Sequence, residues 1–409
     1  MASERARTIA SAAVGLSRPA ISSSFRFHRP RGPVCGRGYC SQCEVETGHG
    51  RALACETPAD GRRRRRVDPL RPLGRVAERW PPWFYERRFL RTELVRRTSL
   101  DVLRRASAAG RLGPEAPSAE LRGFEERDAE TVVVVEGGGA AAESGALVVS
   151  AAEVLGVYPD RTLGVLRDDR LLEVRFDRLV LDTGSYDRLP PVEGNDLPGV
   201  IGLTALERYA DDLAPGTRIA FWGAEAAVSS AEIVAAARGL EVVWAGAEAP
   251  RSLEGRRRVR AVDGIACDLF VTGVEQPAVD LALQAGARVS LTSGELPVLV
   301  VADAPTWLEL RGAAARTSSG APDAAPQPDA FACLCEDVRV RDLQGCVAQG
   351  FTHAELVKRR TGAMTGPCQG KLCAAAVLSV LRDAGVDAVP TTARPLLRPT
   401  PLSELAARA

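Results

Sequence analysis

Cys35-Gly36-Arg37-Gly38-Tyr39-Cys40-Ser41-Gln42-Cys43, followed by Cys55, spaces four cysteines as C-x4-C-x2-C-x11-C. Three thiolates on one short loop can wrap one side of a small cluster. Gly36 and Gly38 let backbone N–H groups turn toward the sulfurs. The fourth thiolate returns from a separate strand. This is the spacing of plant-type [2Fe–2S] sites. Structural zinc sites usually show two close pairs on separate knuckles, so zinc is the rival reading and disulfides rank lower.

A second group lies near the other end. Cys333 and Cys335 form C-x-C, and Cys368 and Cys373 form C-x4-C. The last pair spans Cys368-Gln-Gly-Lys-Leu-Cys373 and leads into a stretch, 374–381, that reads as a helix. A helix N-terminus offers N–H groups and a positive dipole end to anionic sulfur. Zinc is again the rival here. The two remaining cysteines, Cys267 and Cys346, read as small buried hydrophobes. Eight of the ten cysteines therefore fall into two tight groups, which points to metal and a reducing, cytoplasmic compartment.

Composition sets the outer limits. In the 409 residues, 53 basic side chains face 52 acidic ones, so no global field attracts nucleic acid or an anionic membrane. No apolar run approaches the ~20 residues of a membrane span, so no transmembrane segment is expected. Residues 8–16 faintly resemble a signal peptide, but arginines follow instead of a cleavage site. Five regions separate along the chain: a cysteine-bearing module over 1–61, a helical connector over 62–128, an α/β domain over 129–316, a polar linker over 317–329, and a small helical domain with a Pro-rich tail over 330–409. Strands are expected at 132–135, 179–182, 218–222, 241–244, 269–272 and 298–301, with helices at 229–237 and 279–285. Continuous apolar strand runs are the mark of parallel strands covered on both faces.

The stretch Ser24-Phe-Arg-Phe-His28-Arg-Pro-Arg-Gly32, with the cysteine loop after it, resembles the ferredoxin-like module of the hydrogen cyanide synthase and sarcosine oxidase alpha-subunit family. That family also includes opine oxidase and heteromeric proline dehydrogenase. The resemblance implies a helix near residues 8–14. It also implies an opening β-hairpin that this chain lacks, so the ferredoxin sheet is expected to be incomplete or completed by a partner. His28 and its flanking arginines either donate hydrogen bonds near the cluster or merely position the chain. The C-terminal cysteines resemble the helical [2Fe–2S] domain of bacterioferritin-associated ferredoxin.

Between these ends the resemblance implies a two-dinucleotide flavoprotein scaffold, in degenerate form. Val132-Val-Val-Val-Glu136-Gly137-Gly138-Gly139 opens a dinucleotide fingerprint. The helix, second strand and ribose-binding acid that should follow look deleted. The family's A-T-G-A turn reads Asp182-Thr183-Gly184-Ser185, and the second fingerprint reads Gly223-Ala-Glu225, with a carboxylate where phosphate should approach. Gly137, Gly139, Thr183 and Gly184 are the candidate flavin contacts, the simple alternative being a tight turn at 137–139. Neither a catalytic nucleophile nor a carboxylate pair or catalytic histidine is identified. The chain is therefore expected to be the iron–sulfur subunit of a hetero-oligomeric flavin-dependent amine or amino-acid dehydrogenase or oxidase. Two [2Fe–2S] clusters would be held by Cys35, Cys40, Cys43 and Cys55, and by Cys333, Cys335, Cys368 and Cys373. The resemblance implies a catalytic flavoprotein partner of the amino-acid-oxidase fold and a downstream electron acceptor, with FAD or FMN in the partner or at the interface. Two alternatives stay open: a chain that binds FAD or FMN in its own right, and a zinc-stabilised scaffold.

Overall fold

The computed structural model describes residues 7–24, 26–47, 50–59, 123–136, 144–167, 170–293, 297–315, 325–386 and 388–397. The expected helical connector lies outside the described residues up to 122. Its last residues, 123–128, are not helical but open the long strand Gly123–Val135.

The apolar run 132–135 and the run at 179–182 end two long strands, Gly123–Val135 and Arg170–Asp182, which pair in parallel along their length. They form the middle of a six-stranded sheet. Leu147–Ser150 lies beside the first strand and Thr162–Arg167 and Val154–Tyr158 beyond the second, where Leu308–Leu310 also pairs with it. The parallel pairs are buried on both faces at their apolar ends, with Val132, Val134, Leu179 and Leu181 almost fully covered. Leu147–Ser150 lies parallel to Val132–Val135 and carries no acidic residue. The nearest acid, Glu153, is held by Arg167 at 2.8 Å.

A second sheet is wholly parallel, in the order Val200–Gly202, Leu269–Thr272, Arg218–Trp222, Glu241–Gly246. The helix Glu225–Arg238 links its last two strands and ends on Gly239 at φ +65°, a conformation glycine reaches without strain.

The two cysteine-bearing ends pack against this middle. In the N-terminal module, the helix Ile9–Gly15 starts with a reciprocal Thr8–Ser11 capping box. Its Ile9, Ala10 and Val14 share a core with Cys43, Cys55, Ala205, Leu206 and Tyr209. Among the described residues the module's strands form only two short pairs, Ser22–Ser23 with Pro30–Arg31 and Glu44–Thr47 with Gly50–Leu53. The C-terminal domain packs three helices, Val340–Ala348, Ala354–Thr361 and Ala374–Asp383, around Leu343, Val357 and Leu378. Cys346 lies in this core and Cys267 in that of the second sheet. The tail folds back onto the first sheet, with Leu397 N–H donating to Leu155 O at 2.9 Å.

One buried charge cluster ties the three parts together. Arg31 of the N-terminal module pairs with Asp196 of the middle domain and, at 2.5 Å, with Asp337 of the C-terminal domain. Arg29 adds a second contact to Asp196 at 2.6 Å. Burial alone would raise the Asp196 carboxyl, but the Arg31 and Arg29 charges outweigh it and hold the group below its usual range. The sign follows from linkage: the contribution is present above the unfolded carboxylate value of about 4 and is lost as pH falls through the lower folded value. Asp196→Asn removes one of the two carboxylates on the buried Arg31 guanidinium, which keeps Asp337, and also the partner of Arg29; it is expected to cost about 3 kcal/mol in urea unfolding at neutral pH. The deficit should shrink as the wild type is acidified toward pH 3.

Candidate iron–sulfur site

The first four thiols meet in one buried set. Cys35, Cys40, Cys43 and Cys55 are each at most 1% exposed. Cys35 interacts with both Cys40 and Cys55, and Cys43 with both Cys55 and Cys40, so each thiol faces two others of the set. The loop that carries three of them needs its glycines. Gly36 and Gly38 have φ of +66° and +81°, and a Cβ on Gly36 would lie 2.9 Å from Ala205 Cα. The N–H groups that reach sulfur come from neighbours of those glycines: Arg37 donates to Cys35 Sγ at 3.3 Å and Cys40 N–H also reaches it. Burial raises the Cys35 thiol, yet the hydrogen bonds from Cys40, Cys55 and the backbone pull it well below the ordinary thiol value. The Tyr209 hydroxyl is buried without a hydrogen-bond partner and would sit 3.4 Å from a Cβ on Gly36. Burial, and then Cys55, Cys43, Cys35 and Cys40, push it far above the usual phenol value. A stranded donor beside four buried sulfurs fits an anionic cluster.

The second set has the same form. Cys333, Cys368 and Cys373 are buried and Cys335 is half-buried. Cys368 interacts with Cys335 and Cys373, and Cys373 also with Cys333. The Cys335 and Cys373 thiols, followed by the backbone N–H groups of Leu372 and Gly370, hold Cys368 well below the thiol range against its burial. Cys373 is the N-cap of the helix Ala374–Asp383. Gly366 passes so close to Cys335 that a Cβ there would lie 2.4 Å from the Cys335 Cβ.

Among the described residues no group of three or more His, Cys, Asp or Glu side chains is spaced to hold one metal ion. Of the two expected roles, the arginines after His28 take that of positioning the chain: Arg29 and Arg31 pair with Asp196 and Asp337. Sequence reasoning missed Gln42, Arg37, Tyr39 and Asp187. Arg37 bonds Glu136 at 2.8 Å and Ser185 O at 2.7 Å, and Tyr39 donates to Asp187 at 2.5 Å. No local pattern marks them, since each has a partner in another domain, Gln42 in the C-terminal one and the other three across the boundary between the N-terminal module and the middle domain.

The candidate flavin contacts divide. Gly137 and Gly139 lie outside the described residues. Thr183 is buried and donates to Ala278 O at 3.1 Å. A Cβ on Gly184 would meet Glu136 Oε2 at 2.4 Å, so a carboxylate already fills the space against that turn. Burial pushes Glu136 up even though Arg37 opposes it. In the second fingerprint, Glu225 is exposed in the first turn of its helix. These described residues form no phosphate cradle, and no flavin step is assigned to them. A cavity of about 440 Å³ lies elsewhere, between Tyr186, Gln276, Lys371 and the tail, and neither Thr183 nor Gly184 lines it.

The fold and the thiol sets define an iron–sulfur redox protein on a flavoprotein-like α/β scaffold. A 2Fe-2S iron–sulfur cluster binding domain matches residues 2–63, and a sarcosine oxidase A3 domain matches residues 327–409. The L-proline dehydrogenase of P. horikoshii shares the fold, with a TM-score of 0.68 at 14% identity, over 98% of this chain and 94% of that one. These findings support the resemblance to the sarcosine oxidase alpha-subunit-like family. A HOCl-induced flavoprotein disulfide reductase from Escherichia coli matches 41% of this chain and 46% of its own at 16% identity. The ferredoxin reductase for the CYP199A2 system from Rhodopseudomonas palustris matches 52% of this chain and 59% of its own at 19% identity. Both have TM-scores of 0.28, too low to carry an argument. No curated protein matches the sequence. No helix among the described residues is long and apolar enough to cross a membrane.

One pH dependence follows from this site. Burial pushes Asp187 up to about 7, against the Arg37 charge and the Tyr39 hydrogen bond. Between about pH 4 and that value the folded chain keeps a proton that the unfolded chain has released, so stability falls as pH rises. Asp187→Asn should remove this slope, read as the difference in urea midpoint between the two proteins across pH 4.5 to 7.5.

Proposed function

We propose that this chain is the iron–sulfur electron-transfer subunit of a hetero-oligomeric, flavin-dependent amine or amino-acid dehydrogenase or oxidase. The observation that carries the reading is the assembly of eight thiols into two sets of four, seven of them buried and Cys335 half-buried. Cys35, Cys40, Cys43 and Cys55 would hold one [2Fe–2S] cluster and Cys333, Cys335, Cys368 and Cys373 a second. Such clusters supply one-electron chemistry, at potentials set by charge, hydrogen bonds to sulfur and burial. The C-x4-C-x2-C spacing and the 2Fe-2S domain match over residues 2–63 favour a two-iron unit over a single tetrahedral zinc ion. The chain's own groups do the remaining work. Backbone N–H groups of Arg37, Cys40, Gly370 and Leu372 direct positive dipole at sulfur, and the surrounding cores exclude water.

The substrate chemistry is assigned to a partner, because the described residues show neither a phosphate cradle at Thr183–Gly184 nor a catalytic constellation. The resemblance implies a flavoprotein partner of the amino-acid-oxidase fold and a separate electron acceptor. The five regions given above are proposed as the domain plan, with the 123–128 boundary moved into the α/β domain.

EPR spin quantitation on anaerobically purified, dithionite-reduced protein tests the cluster assignment. About two spins per chain are expected. Cys40→Ser and Cys368→Ser should each remove about one spin and leave the other. Colourless protein containing zinc and no iron would overturn the electron-transfer reading. A flavin spectrum from the isolated chain would instead favour a flavin-binding subunit.

A further inference from the structure

Gln42 lies between two cysteines of the first loop, and its side chain leaves that loop. It is 5% exposed. Its amide nitrogen donates to Cys40 O at 3.1 Å and, across the domain boundary, to Cys335 Sγ at 3.3 Å. The nitrogen faces two acceptors, so the chemistry settles which end of the amide points this way. The free Cys335 thiol in turn lies 3.8 Å from Cys40 O. A sulfur of the second set thus touches the main chain of a cysteine in the first, although 293 residues separate Gln42 from Cys335.

The contact is built into the packing. Asp337, two residues beyond Cys335, accepts the N–H groups of Arg26 and Phe27 at 2.9 Å each, and it pairs with Arg31. Phe27, Val34, Cys35 and Cys40 share one small core with Phe331, Leu334 and Leu372, residues that flank the second thiol set. Three guanidiniums, those of Arg29, Arg31 and Arg339, lie 5.0 to 5.2 Å from the centre of the Phe331 ring and close the boundary.

We propose that Gln42 is a positioning residue that joins the two thiol sets into one coupled redox unit and tunes the second. This rests on the cluster assignment above. Two consequences follow. First, with Cys335 against Cys40, the two sites lie close enough for their unpaired electrons to interact. An electron passing between them oxidises one site by one and reduces the other by one, and the neutral Gln42 amide exchanges no proton. Second, an N–H donor on Cys335 Sγ stabilises the more negative, reduced state of the second site. Hydrogen bonds to sulfur are among the levers that set such potentials.

The test uses the full-length protein loaded with iron. EPR of the fully reduced wild type should show mutually broadened or split signals with fast relaxation. Cys368→Ser should leave the remaining signal narrow and unsplit. Gln42→Leu should retain about two spins per chain and make the second site harder to reduce. Losing one charge-assisted hydrogen bond is worth about tenfold in the reduction equilibrium, ~59 mV for one electron. The first site's midpoint should move much less. If Gln42→Leu loses iron, Gln42→Asn takes its place: it keeps the amide but is too short to reach Cys335, and the same shift is expected. Two centres without mutual broadening, or an unmoved midpoint for the second site, overturn this inference alone. A wild type with fewer than two centres overturns it together with the assignment beneath it.

Discussion

Arg31 holds the molecule together. Its guanidinium is buried between Asp196 of the middle domain and Asp337 of the C-terminal domain. A buried charge is tolerated only when it is paired and hydrogen-bonded. The three parts must therefore meet in one arrangement, because any other leaves a charge stranded. Both neighbours depend on it: Asp337 fixes the segment that carries Cys335, and Asp196 sits beside Asn195, which bonds Phe331 through both ends of its amide. The two thiol sets owe their closeness to this arrangement.

The α/β domain packs directly against the first set. The helix Leu203–Tyr209, which follows a strand of its second sheet, supplies the floor through Ala205, Leu206 and Tyr209. Glu136, just after its strand Gly123–Val135, pairs with Arg37 of the first cysteine loop. The turn at Thr183 and Gly184 keeps its shape while its open space is taken by the same carboxylate. The overall fold is the one shared with L-proline dehydrogenase.

Much of this was legible in the sequence. The strands at 218–222 and 269–272 match their apolar runs residue for residue, because a strand covered on both faces must be apolar throughout. The grouping of the eight cysteines needed only their spacing. The helix ahead of the module followed from the resemblance, and its Thr8 cap bears it out locally. The strand at Leu147–Ser150 is not among the expected ones, because a four-residue apolar run is too short to be told from other buried segments by pattern alone. The extension of Gly123–Val135 back to Gly123 was also missed. Its residues 124–131 are mostly polar, and they are strand because Arg170–Asp182 pairs with them, not because of their own pattern.

The sequence by itself determined the chemistry available: which thiols sit together on each loop, and which glycines let the backbone turn around them. Those are local matters of spacing and φ. Only the tertiary structure decided that the two sets stand side by side, that Gln42 reaches from one to the other, and that the arginines after His28 serve as a clamp. Each of these rests on partners far apart in the chain. Burial selects such pairings by matching charge and hydrogen-bonding groups in three dimensions, and spacing along the chain carries no record of that match.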